Sequence, residues 1–85
     1  MNKNVIIYTS SLCGFCYTAK SLLKKKGIPY EEIDIDLNYE KRNEMIKRSN
    51  GQTSVPQIFF KNRHIGGCDD LLKLEDESDL EFLKD

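Results

Sequence analysis

An 85-residue chain with 39% apolar residues, four Phe and four Tyr is long enough for one small domain spanning 1–85, and its apolar residues are too clustered for a disordered segment. A net charge of −1 argues against a nucleic-acid partner. No apolar run approaches a membrane span, and the opening MNKNVIIYT, with only VIIY continuously apolar, is too short for a secretory signal.

The expected compartment is therefore the cytoplasm, where thiols stay reduced. An odd cysteine count, three, does not make a purely structural disulfide framework. Residues 1–68 carry eleven Lys or Arg against six Asp or Glu, whereas 69–85 carry eight acids against Lys73 and Lys84. A mildly basic body suits a small anionic ligand; the acidic end is a solvated face.

VIIY, residues 5–8, is a short apolar run rich in β-branched residues and reads as a buried central strand. After the TSSL turn, Phe15, Ala19, Leu22, Leu23 and Lys26 follow helical spacing, with Phe15 expected to pack against the body. Gly27 ends that helix and Pro29 forbids its return. YEEIDID, 30–36, reads as a second strand, parallel to the first because a helix crosses between them. Leu37, Tyr39, Arg42, Met45, Ile46 and Ser49 sketch a second helix that stops near Asn50-Gly51.

VPQIFF and RHIGG form a hairpin about Lys61-Asn62, with Ile58 and Phe60 on one face. Gly66-Gly67 breaks it, and CDDLLKL opens a short helix with acids in its first turn. Ser78 with Glu81 resembles a capping box for a last helix holding Leu80, Phe82 and Leu83. The order βαβ, α, ββα and a final helix predicts an α/β fold with a mixed four-stranded sheet.

LCGFCYTAK, 12–20, places Cys13 at the mouth of the first helix and Cys16 one turn inward on the same face. Unpaired helix amides and roughly half a positive charge from the macrodipole favour a thiolate at Cys13. The dipole alone is worth about 0.3–1 kcal/mol, so a larger effect needs N–H···S bonds or a cation. On this reading Cys13 attacks and the shielded Cys16 resolves. A zinc site built from Cys13, Cys16, His64 and Cys68 is the competing reading. The strand–CxxC–helix setting favours redox use, with His64 an ordinary hairpin residue.

CGFC at 13–16, TSVP at 53–56, GGCDD at 66–70 and the βαβ–α–ββα frame together resemble the glutaredoxin family, with HIGGCDDL at 64–71 most like its small bacterial dithiol members. The resemblance implies a thioredoxin-like fold with sheet order 2-1-3-4. It implies a glutathione-dependent thiol–disulfide oxidoreductase with catalytic Cys13 and Cys16, glutathione as co-substrate, and glutathionylated or disulfide-containing proteins as partners of a monomer.

It further implies a cis bond before Pro56, with the backbone of Val55 meeting the cysteinyl part of glutathione and Ser54 and Pro56 also at the glutathione site. The N–H groups of Cys68 and Asp69 would hold the γ-glutamyl carboxylate beside Gly67. The Asp69 side chain, with Asp70, would take the amino group, and Arg42 and Gln52 the glycyl carboxylate. Cys68 matches a third cysteine common in the family.

Two departures stand out. Ser10 replaces the lysine that many relatives carry three residues before the first cysteine, leaving Lys20, Arg42 or the helix dipole to serve the thiolate. The Gly14-Phe15 spacer is that of monothiol relatives, which raises an alternative: a homodimeric [2Fe–2S] carrier with Cys13 and glutathione as ligands. Asn50 reads as an extra loop residue without consequence.

Overall fold

The computed structural model describes residues 4–77 and 80–84. The elements run β1 (Val5–Thr9), α1 (Gly14–Lys25), β2 (Tyr30–Asp34), α2 (Tyr39–Arg48), β3 (Gln57–Phe60), β4 (Arg63–Gly66) and α3 (Cys68–Glu77), closed by a single 3₁₀ turn at Glu81–Lys84. The sheet order is β2-β1-β3-β4, as expected. β1 pairs parallel to β2, and antiparallel to β3, which pairs antiparallel to β4. The chain thus has a thioredoxin-like architecture, a mixed sheet with three helices.

β1 is buried on both faces, and its alternation feeds two cores. Val5 and Ile7 join Ala19 and Leu23 of α1 and Leu71 of α3 on one face. Tyr8 joins Met45 of α2 and Phe59 of β3 on the other. The Tyr8 hydroxyl donates to Glu44 and accepts from Arg48 Nη1 at 2.7 Å, so a buried polar group fastens α2 to the sheet.

Local chemistry sets the boundaries. β2 ends at Asp34, two residues earlier than read from the sequence, because Asp34 Oδ1 accepts the Asp36 N–H at 2.8 Å and turns the chain. Asn38 caps α2, accepting from the Lys41 N–H at 3.2 Å, which leaves Leu37 outside the helix. Lys61 and Asn62 have φ of 49° and 70°, the two left-handed residues that a tight hairpin turn of the right twist demands.

Three expectations need correction. Phe15, Leu37 and Tyr39 lie on the outside, 66%, 87% and 72% exposed, because helical spacing marks a face without supplying a partner for it. The last helix is the 3₁₀ turn, burying Leu83; its expected cap at Ser78 lies outside the described residues. Asn50 is no idle insertion: it takes φ 59° and closes α2. Among the described residues, no helix is long and apolar enough to cross a membrane.

Candidate active site

The turn from β1 into α1 is gripped from the turn that follows β2. The Asp36 carboxylate accepts from the Ser11 N–H at 2.9 Å, from Ser11 Oγ at 2.8 Å and from Ser10 Oγ at 3.0 Å. The Ser11 amide, then the two hydroxyls, hold its carboxyl below the usual carboxylate range. Ser10 therefore answers the absent lysine by binding an acid.

Cys13 follows as the N-cap of α1, in extended conformation, and its Sγ accepts the Cys16 N–H at 3.1 Å. A helix N-cap needs an acceptor for an orphan amide, and here sulfur fills the place usually taken by a hydroxyl or carboxylate oxygen. The first turn of α1 carries no acidic residue to compete with an anion at Cys13. The Cys13 thiol also donates to the Val55 carbonyl at 3.6 Å, and the Val55–Pro56 bond is cis.

Cys16 is buried, 1% exposed. Burial first, and then the neighbouring Cys13, push its thiol up to about 12. The two sulfurs of one motif thus stand in opposite settings: one at a helix mouth, half-exposed, the other under the helix. All three cysteines are free.

Next to Cys13 runs an open groove of about 330 Å³. Gln52, Ser54, Val55 and Pro56 form one wall, and Gly67, Cys68 and Asp69 the other, so all seven of these sequence-derived residues share one surface. Arg42, on α2, is not among the lining residues. The start of α3 presses close to the loop before β3: a Cβ on Gly67 would stand 3.3 Å from the Pro56 carbonyl oxygen. Gly66, at φ 126°, has no room for a side chain either, because the Asp70 carboxylate occupies that place.

Asp70 is committed: its Oδ2 accepts the Gly67 N–H at 2.9 Å, the back half of a capping box. Asp69 is exposed, and the Cys68 and Asp69 amides belong to the first turn of α3. Cys68 is buried, its thiol raised chiefly by burial and next by the Asp69 and Cys13 charges. Lys20 is spoken for by Glu32 at 2.9 Å. His64 Nε2 lies 2.6 Å from Gln57 Oε1, and among the described residues no group of three or more His, Cys, Asp or Glu is placed to hold a metal ion.

Sequence reasoning missed Asp36 and Gln57, and it read His64 only as a zinc candidate or an ordinary hairpin residue. Gln57 and His64 also line the groove. Gln57 carried one signal, a polar residue leading an apolar strand; Asp36 carried none, because its partners lie 25 and 26 positions away.

Comparison with known proteins bears on what this site is. The family model described as Glutaredoxin matches residues 5–65. The chain is 54% identical over 80 residues to glutaredoxin 3 of Escherichia coli strain K12, covering 94% of this chain and 95% of that protein. It is similar to the solution structure of glutaredoxin from Brucella melitensis, with a TM-score of 0.80 and 49% identity over 94% of this chain and 86% of that one. It is also similar to a buckwheat glutaredoxin–glutathione complex, with a TM-score of 0.84 and 25% identity over 94% of this chain and 74% of that one.

Proposed function

This chain belongs to the glutaredoxin family, which implies thiol–disulfide oxidoreductase chemistry, and from that membership we propose that it uses glutathione to reduce protein–glutathione mixed disulfides and protein disulfides. The observation that carries the reading is the nucleophile's address: Cys13 Sγ, at a helix mouth, lies 3.6 Å from the carbonyl of Val55, a wall of the groove. The buckwheat relative's complex with glutathione supports it.

The Cys13 thiolate attacks the glutathione sulfur of the mixed disulfide. The S–S bond breaks, the protein thiolate leaves and takes a proton from water, and Cys13 is left joined to glutathione. A second glutathione thiolate attacks that glutathione sulfur, releasing glutathione disulfide and restoring Cys13. With a protein disulfide, Cys13 forms the mixed disulfide with the protein. Cys16 then attacks Cys13 Sγ, freeing the protein thiolate and leaving a Cys13–Cys16 disulfide for two glutathiones to reduce.

In the groove, the Val55 backbone pairs with the cysteinyl unit, with Ser54 and Pro56 beside it. The Cys68 and Asp69 amides next to Gly67 take the γ-glutamyl carboxylate, and the Asp69 carboxylate the amino group. Gln52 from the groove wall, with Arg42 from α2, meets the glycyl carboxylate. The proposed setting is the cytoplasm, as a monomer.

A glutathione-coupled assay on a glutathionylated peptide tests this. Cys13→Ser is expected to reduce turnover to background, while Cys16→Ser keeps most of it because glutathione itself resolves the intermediate. Equal loss in both variants contradicts the glutathione route.

A further inference from the structure

The loop Gly51–Pro56 has no regular structure, yet one wall of the groove depends on it. Two side chains tie it to the body by bonds to backbone oxygen. Ser49 Oγ donates to the Gln52 carbonyl at 3.2 Å. Gln57 Nε2 donates to the Ser54 carbonyl at 3.1 Å and to Ser54 Oγ at 3.4 Å.

Gln57 is a buried polar residue, 3% exposed, at the head of β3. Burial of an amide is tolerated when its donors and acceptor are all met. Here they are. A carbonyl only accepts, so the nitrogen end of Gln57 must face Ser54. The oxygen end then faces His64, 2.6 Å away, and because an amide oxygen only accepts, His64 Nε2 carries the hydrogen. The His64 ring in turn stacks on Phe59 of β3, with centroids 4.9 Å apart. The chain of contacts runs from β4 through Gln57 to Ser54, the residue before Val55.

We propose that Gln57, oriented by His64, is a positioning residue that holds the Ser54–Val55 backbone in the register required to pair with the cysteinyl unit of glutathione. The inference rests on the glutathione reading above. Without the amide bridge, the loop must order itself as ligand binds, which weakens binding without touching the sulfur chemistry.

The test is steady-state kinetics on a glutathionylated peptide and on the same peptide joined to 2-mercaptoethanol, with Gln57→Glu and His64→Phe. Gln57→Glu keeps the shape but sets a carboxylate oxygen against the Ser54 carbonyl. His64→Phe keeps a ring on Phe59 and removes the Nε2 donor. Gln57→Glu is expected to raise KM for the glutathionylated peptide about tenfold, and His64→Phe about threefold, with kcat nearly unchanged. Alkylation of Cys13 by iodoacetamide, which needs no groove, stays at the wild-type rate.

KM values unchanged in both variants, or an alkylation rate that falls in step with kcat/KM, overturn the positioning role. If the wild-type protein turns over the 2-mercaptoethanol peptide as fast as the glutathionylated one, the glutathione reading itself fails and the inference with it. His64→Phe, which leaves the buried amide in place, keeps the test open should Gln57→Glu fail to fold.

Discussion

Cys13 and Cys16 share a motif and almost nothing else. Cys13 caps a helix and is half-exposed; Cys16 is buried beside the Cys13 sulfur, with the Ser10 backbone as its hydrogen-bond partner. With its thiol pushed up to about 12, mainly by burial, Cys16 stays protonated at neutral pH. In the resolving role proposed above, Cys16 attacks as the thiolate, and burial, the leading cause of its raised value, keeps that form scarce at neutral pH. The fraction ionised grows tenfold per pH unit while pH remains below the pKa. Closure of the Cys13–Cys16 disulfide from glutathionylated protein, followed by release of glutathione in a quenched-flow experiment, should therefore speed up about tenfold per unit between pH 6 and 9. A plateau near pH 7 would mean that Cys16 is an ordinary, accessible thiol.

At the scale of elements, α1 and α2 stop by the same device. After α1, Gly27 takes φ 71°; its N–H reaches the Lys24 carbonyl at 3.0 Å, and the Ile28 N–H reaches Leu23 at 2.9 Å. After α2, Asn50 takes φ 59°; its N–H reaches Lys47 at 3.4 Å, and the Gly51 N–H reaches Ile46 at 2.8 Å. This paired bonding, five-to-two inside six-to-one, satisfies the last carbonyls of a helix and requires a left-handed residue at its centre. Asn50 is exposed, so substitutions there read the backbone and not packing. Asn50→Val should cost about 1–2 kcal/mol for the forced left-handed Cβ, a fall of roughly 4–16 °C in Tm for a chain this size. Asn50→Gly should leave Tm at or above wild type. The reverse order in thermal melts would contradict the role assigned to Asn50.

The Gly27 stop and the stop near Asn50-Gly51 were both legible; that Asn50 itself closes α2 in a left-handed conformation was not, because Asn also sits in ordinary loops. The same divide runs through the whole reading. VIIY, the crossing helix and the hairpin turn carry local information, and from them a mixed four-stranded sheet followed; its strand order came only with the family resemblance. The Cys13–Cys16 motif and the groove residues from Gln52 to Pro56 and Gly67 to Asp69 were found because they lie in contiguous short motifs. The grip of Asp36 on Ser10 and Ser11 and the Gln57–His64 bridge depend on which way side chains point across paired strands. Exposure of Phe15 and Leu37 depends on what fails to cover them.

Over the whole molecule, the titrating groups that folding perturbs predict a stability plateau with two edges. Tyr8 and Cys16, buried, ionise near 12 in the folded chain against ordinary values of 10.0 and 9.0. Burial leads both shifts. Lys20 is also raised above 10.5, chiefly by its bond to Glu32. For each, the folded state holds protons that the unfolded chain releases, so stability is fully present below about pH 9 and declines as pH climbs toward 12. Glu32 and Glu44 are shifted the other way, lowered from 4.5 chiefly by Lys20 and by the Tyr8 hydroxyl respectively. Their contribution is present above that value and is lost as pH falls through their lower folded values. The midpoint of urea unfolding should thus stay nearly level between about pH 5 and pH 9 and fall on both sides. Cys16→Ala should flatten the alkaline edge while leaving the acid edge in place, because the thiol that resists ionisation is gone and both glutamates remain. A midpoint that rises above pH 9 would mean that Tyr8 and Cys16 meet solvent in the folded protein, and an alkaline edge unmoved by Cys16→Ala would assign that edge to Tyr8, Lys20 and Cys68.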